Sequence, residues 1–530
     1  MDILIKNATI IDGSGAPAYA GNVGIIDGKI VLKDLPESAD KVIDAAGKYV
    51  APGFVDSHSH GDAILGLDFG DLSKINQGVT THIAAQCGGS MAPVTAENLS
   101  GIQGFMSAFR DGFPEEMAEW TTWGAYADYV DGLPLVANVK LFVGFNTIRI
   151  AVMGYDDRQP TAEELERMKA MVREAMEHGA LGLSSGLAYV PATFDDVKTI
   201  IELAKELAPY HGVYVSHIRN ESFDLVRAVE EAIEVGRQAG VPVNISHFKA
   251  MGRSNWGSHL KAIEVIEKAQ AEGITVTVDQ YPYNCSMTHY SPCMPPWYFK
   301  DGMDKAVEML KDPEMRKKIQ QEMDDPATDY ENLYLNAGGW DGITVCACGN
   351  VPEAEGLTVT EYAASVGKTP FDAYFDLMVA NNGAGTAVYH SIGDEDIYDI
   401  IRLPYAMVGS DGIVRTRTEK CHPRGWGSMI RAISAFTMEK QILPLEELIY
   451  KITALPARVF SLTNKGLVKE GYDADLVIFD YDGLRDNATY TNPTELADGI
   501  EYVLISGEVV YRNKELTGAC PGKLLRHNAQ

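Results

Sequence analysis

Residues 50 to 410 alternate short apolar runs with amphipathic stretches, and this alternation limits the fold more than any other feature of the chain. Runs near 50–57, 79–86, 139–144, 180–184, 213–216, 241–246, 273–279, 386–390 and 405–410 read as strands. Between several of them apolar residues recur at helical spacing, most clearly over 163–178 and 223–239. Strand–helix units of about 30 residues imply a parallel sheet. Their number points to an α/β fold of the (β/α)8 TIM-barrel type. Nine runs compete for eight places, so one of them is an accessory strand.

The chain ends read differently. Ile3-Leu4-Ile5, Ala8-Thr9-Ile10-Ile11 and Val23-Gly24-Ile25-Ile26 are short strands split by Asp12-Gly13 and Asp27-Gly28 turns. Strand patterns return at 474–479 and 502–511. The expected organisation is a small β-sandwich domain built from both termini (1–50 and 456–530) around a barrel over 51–455. Residues 288–345 break the rhythm with Tyr290, Pro292, Pro295, Pro296 and Trp297, then a charged helical stretch over 300–325. They read as an inserted, lid-like subdomain over the barrel mouth.

Charge and cysteine content narrow the partners. The formal net charge of −29 repels nucleic acid and anionic membrane, so neither is expected as a partner. A small anionic substrate needs a local arginine. The seven cysteines are odd in number, and the first residues lack the basic region and cleavage site of a signal peptide. No apolar stretch approaches the roughly 20 residues of a membrane span. The expectation is a soluble cytoplasmic protein with reduced thiols. Nothing in the sequence specifies an oligomeric state.

Function in a barrel of this kind collects where strands end. Six candidate metal ligands fall there. His58 and His60 follow the first strand as His-x-His, Cys87 the second, and His217 and His247 two middle strands, while Asp411 follows the last. Alternate residues of an extended chain point the same way, which aims both imidazoles of His58-Ser59-His60 at one point. Thiolate and neutral imidazole suit zinc, and a carboxylate completes the set. A lone histidine after a strand is usually a loop or capping residue; six candidate ligands at one strand end after another are not.

The same residues carry a family resemblance. His58-Ser59-His60, Ser216-His217-Ile218-Arg219-Asn220-Glu221, Ser246-His247-Phe248-Lys249, Gln280-Tyr281-Pro282-Tyr283, Gly409-Ser410-Asp411-Gly412 and His422-Pro423-Arg424 resemble the amidohydrolase superfamily. Within it the pattern is similar to the N-acyl-D-amino-acid deacylases (D-aminoacylases). The resemblance implies a barrel, a terminal β-sandwich and a lid-like insertion. It implies one tightly bound zinc on Cys87, His217 and His247, and a second, weaker metal position on His58, His60, Cys87 and Asp411. Cys87 replaces the carboxylated lysine of hydantoinases and dihydroorotases. Gln86 and Phe145 stand where the family often has Asn and His.

The expected activity is zinc-dependent hydrolysis of N-acyl-D-amino acids, with Asp411 as general base and then acid. The substrate is a small molecule with a free carboxylate. By resemblance Arg424 receives that carboxylate, with Lys249, Tyr283 and Ser286 as further binding residues. Preference for D over L is part of the resemblance alone. A D-dipeptidase or another linear or cyclic amide hydrolase stands as the alternative, and a non-catalytic scaffold as a reading of another class.

Overall fold

The computed structural model describes residues 1–110, 112–414, 416, 420 and 422–528. Eight parallel strands form the central barrel: Phe54–Asp56, Val79–Ala84, Asn138–Leu141 continuing as Val143–Gly144, Gly182–Gly186, Val213–His217, Val243–Ile245, Val276–Gln280 and Ala406–Val408. The eighth closes on the first just beyond the strand ends. There the Asp411 N–H donates to the His58 carbonyl at 2.8 Å, and Ser59 bridges Gly412 in parallel. These strands are buried along their length, because helices cover the outside and side chains fill the inside. That is why they read as unbroken apolar runs rather than alternating ones.

The helices form where the spacing places them. Ala162–Glu177 opens on a capping box in which Thr161 and Glu164 satisfy each other's backbone N–H groups. Leu225–Ala239 buries Leu225, Ala228, Val229, Ala232, Ile233 and Val235 along one side and stops at Gly240, whose φ of 70° ends the helix. A buried ion pair lies beneath the barrel mouth. Lys74 Nζ is 2.6 Å from Asp56 Oδ2, and the Ser410 N–H donates to Asp56 Oδ1 at 2.7 Å. Buried charges persist only when partnered in this way, and this pair ties the segment after the eighth strand to the first.

The two termini share one nine-stranded sheet. Its seam is the antiparallel pairing of Tyr49–Pro52 with Leu476–Phe479. Ile5, Ile10, Val23, Ile25, Leu476, Ile478 and Leu504 form its own apolar core.

The ninth run, 386–390, is the accessory one. Thr386–Tyr389 pairs antiparallel with Ser286–His289 and Ile343–Ala347 in a separate three-stranded sheet. The departure from the barrel is therefore longer than the expected 288–345. It runs from the end of the seventh barrel strand at Gln280 to the eighth at Ala406. A buried apolar strand has the same residues in either sheet; only its hydrogen-bonding partner tells them apart. Among the described residues, no helix is long and apolar enough to cross a membrane.

Candidate metal centre

All six expected donors lie buried at the mouth of the barrel, in two groups that share His247: His58, Cys87, His247 and Asp411, with His60 against Asp411, and His217 and His247 with Glu221. Cys87 Sγ lies at the middle of the first group, 3.4 Å from His58 Nε2 and 3.3 Å from His247 Nε2. His217 presents Nδ1 at 2.9 Å from His247 Nε2. Asp411 Oδ1 is 3.4 Å from His58 Nε2 and 3.0 Å from His60 Nε2. Zinc bonds of about 2.0–2.3 Å in a tetrahedral array hold donors about 3.3–3.7 Å apart. The separations of 3.3–3.4 Å around Cys87 and between His58 and Asp411 match those edges, those of His217–His247 and His60–Asp411 are 0.3–0.4 Å shorter than them, and the thiol, imidazole and carboxylate set is one that zinc takes.

The backbone reaches this geometry at a cost. Cys87, His247 and Asp411 have φ of 52°, 36° and 48°. Left-handed backbone of this kind is uncommon outside glycine and costs roughly 1–3 kcal/mol per residue. Each of the three turns the chain sharply after a strand so that its side chain faces inward. Close approach matters too. A Cβ on Gly409 would stand 2.5 Å from His58 Cβ, so glycine lets the eighth strand bring Asp411 alongside the first.

Electrostatics suit a cation. Burial holds His217 and His247 well below the ordinary imidazole range, and the Lys249 charge adds to this at His247, which favours the neutral form that ligation needs; at His58 burial is outweighed by Asp279 and Cys87, which hold that ring well above the range. Burial alone would raise the Asp411 carboxyl, but Arg424 and the neighbouring imidazoles hold it well below the usual carboxylate range. Burial pushes the Cys87 thiol up to about 11, against the pull of His58. A bound metal inverts that balance, since a coordinating thiol is deprotonated outright.

A second layer fixes these donors. Asp279 Oδ1 accepts from the His247 N–H at 2.8 Å and stands 3.1 Å from His58 Nδ1. Glu221 Oε1 stands 2.9 Å from His247 Nδ1 and 2.6 Å from Lys249 Nζ. Carboxylates behind ligating imidazoles set their orientation and basicity. Neither residue was expected in a role from sequence. Glu221 follows His217 by four residues, and Asp279 is buried near the end of the seventh strand, a placement that for a carboxylate is itself a signal.

The residues expected to bind carboxylate divide. Arg424 is 1% exposed, with NH1 2.7 Å from Asp411 Oδ2 and NH2 donating to the Met287 carbonyl at 2.9 Å. Its Nε has no partner among the described residues. Lys249 and Ser286 line the same chamber. Tyr283 does not. Its hydroxyl faces Asp486, and its ring packs edge-on to His422. Tyr281 lines the chamber instead, beneath Arg424 (4.9 Å from guanidinium to ring centroid), with a buried hydroxyl that has no partner among the described residues. Residues two apart in an extended strand share a side, but the Tyr281-Pro282-Tyr283 segment lies past the strand end and that rule lapses there.

Comparison with known proteins agrees with this geometry. The model of the amidohydrolase family matches residues 41–292 and 400–511. The chain is 33% identical to the D-aminoacylase of Alcaligenes xylosoxydans xylosoxydans over 539 residues, covering 100% of this chain and 98% of that one. A crystal structure of D-aminoacylase superposes with a TM-score of 0.83 at 32% identity, covering 99% of each chain. The N-acyl-D-glutamate deacylase of Bordetella bronchiseptica, solved with zinc and a phosphonate mimic of the tetrahedral intermediate, does so at 0.83 and 31%, again over 99% of each chain. The donors at the barrel mouth and the likeness over the whole chain lead to one assignment: this protein belongs to the amidohydrolase family, in its D-aminoacylase branch.

Proposed function

We propose that the protein is a zinc-dependent deacylase that hydrolyses the amide of N-acyl-D-amino acids to a carboxylate and a free D-amino acid. One observation carries the reading. A thiol, imidazoles and carboxylates meet at the barrel mouth in two groups that share His247, and beside them, among the described residues, the Nε of a buried arginine and a buried tyrosine hydroxyl have no partner. The first set suits an amide carbonyl and water; the second suits an amino-acid carboxylate. The D configuration is taken from the relatives.

When bound, zinc supplies a Lewis acid for the amide carbonyl and brings the pKa of water toward about 7. Cys87, His217 and His247 would hold the tight position, and His58, His60, Cys87 and Asp411 the weaker one. Asp411 takes the proton from the attacking water at a carboxylate oxygen and hands it to the amide nitrogen as the C–N bond breaks. Its ion pair with Arg424 keeps it ionised for the first of these steps. Arg424 Nε and Tyr281 Oη receive the substrate carboxylate, and Lys249 adds charge. Arg424 also opens the helix Arg424–Ile433, whose N-terminal end favours an anion. The centre requires Cys87 reduced, which fits a cytoplasmic location.

Matched N-acetyl-D- and N-acetyl-L-methionine test the reading on zinc-loaded protein. Release of D-methionine alone is expected. Release of only the L-amino acid, or of neither with zinc bound, refutes it. Arg424→Lys keeps the charge beside Asp411 but loses the planar fork. KM for N-acetyl-D-methionine should rise about 30- to 150-fold, the worth of a charge-assisted hydrogen bond of about 2–3 kcal/mol, with a smaller change in kcat. An unchanged KM places the carboxylate elsewhere.

A further inference from the structure

The chamber around the metal donors is small, about 40 Å³, room for roughly three water molecules. An N-acyl amino acid does not fit in it whole, so part of any such substrate has to stand outside. Outside lies a cleft of about 760 Å³, within the roughly 300–1,000 Å³ of pockets that enclose small organic ligands. The two spaces adjoin: Phe105, Ala188, Tyr189, His289, Pro292 and Glu331 line both. The junction is a collar of rings. The His289 centroid lies 6.4 Å from Phe105, 6.1 Å from Phe109 and 6.3 Å from Tyr189.

Amide geometry decides which end passes the collar. Arg424, Lys249 and Tyr281 line the chamber and not the cleft. An amide is planar and trans, so the acyl chain and the carboxylate-bearing carbon leave the C–N bond on opposite sides. With the carboxylate held at Arg424, the acyl chain points to the collar.

Resting on the deacylase reading above, we infer that the cleft is an acyl-chain subsite for linear, apolar acyl groups of medium length, such as octanoyl or decanoyl. Its walls include Val190, Phe194, Met294, Trp297, Phe299 and Met303. Phe223 stands at its edge 56% exposed, a large ring left in water when the cleft is empty. The two cations among the described lining residues are both engaged: Arg219 with Glu231 at 2.8 Å and Arg227 with Asp224 at 2.9 Å. Asp301, Asp304 and Asp329 are exposed along the cleft. An acyl chain ending in a carboxylate is repelled there; one ending in a methyl group is not.

The test is a series of N-acetyl, N-butyryl, N-hexanoyl and N-octanoyl derivatives of one D-amino acid, with the N-succinyl derivative as the anionic control. Each added methylene should raise kcat/KM by about fourfold until the cleft is filled, and the succinyl compound should fall below the butyryl one. Phe223→Asp, at an exposed position where folding is not at stake, should lower the octanoyl-to-acetyl ratio about tenfold. Independently of turnover, decanoate should quench tryptophan fluorescence saturably, and Trp297→Phe should lose that response. A flat or falling series in an enzyme that hydrolyses the acetyl compound overturns the subsite and leaves the deacylase reading intact. So does decanoate that leaves the fluorescence unchanged. Failure to hydrolyse any member with zinc bound overturns both.

Discussion

Asp411→Asn should leave the fold and the bound zinc in place and lower kcat by about 10³-fold, within the roughly 10²–10⁴ that a positioned acid–base group contributes. The substitution keeps the shape of the side chain and one oxygen for its neighbours. It removes the group that accepts a proton. The neighbouring carboxylates among the described residues are already engaged: Glu221 is tied to Lys249 and His247, Asp279 lies behind His58 and His247, and Glu331 accepts from the Glu221 N–H. Zinc content, circular dichroism and thermal midpoint, read beside kcat, separate loss of chemistry from loss of structure. A variant that retains a tenth of the activity with zinc bound moves the proton transfer to another residue.

Cys87→Ala should act on the other half of the site. Its sulfur is the donor that lies against both His58 and His247, so removing it opens the middle of the cluster. Zinc per chain should drop well below one after dialysis, and kcat/KM should fall by at least about 10³-fold because both carbonyl polarisation and water activation go with the metal. The thermal midpoint should fall as well, since a metal that binds only the folded protein stabilises it. The pair of variants makes the contrast: Asp411→Asn loses turnover with zinc bound, Cys87→Ala loses turnover through loss of zinc. Full zinc content in Cys87→Ala assigns the tight position to other donors.

Much of the site can be read in the chain because a barrel turns order along the sequence into position around a ring. A ligand type at the end of each of several strands has nowhere to point but the mouth, and His58, His60, Cys87, His217, His247 and Asp411 all do so. The same logic fails one step beyond the strand ends. Tyr281 and Tyr283 are the same residue type two positions apart, and only the path of the chain after Gln280 sends one under Arg424 and the other toward Asp486. Glu331 is further still. It reaches the Glu221 N–H across 110 residues, and no local pattern marks it.

Sequence by itself determined the alternation of strand and helix, the closed barrel that alternation requires, and the donor types that meet at its mouth, because each depends on local periodicity and on residue chemistry. Tertiary structure alone decided which partners Thr386–Tyr389 would pair with, which tyrosine faces the chamber, and how the long excursion between the seventh and eighth strands walls a cleft over the metal donors. Those outcomes depend on contacts between residues far apart in the chain, whose energies appear only once the barrel has brought them together.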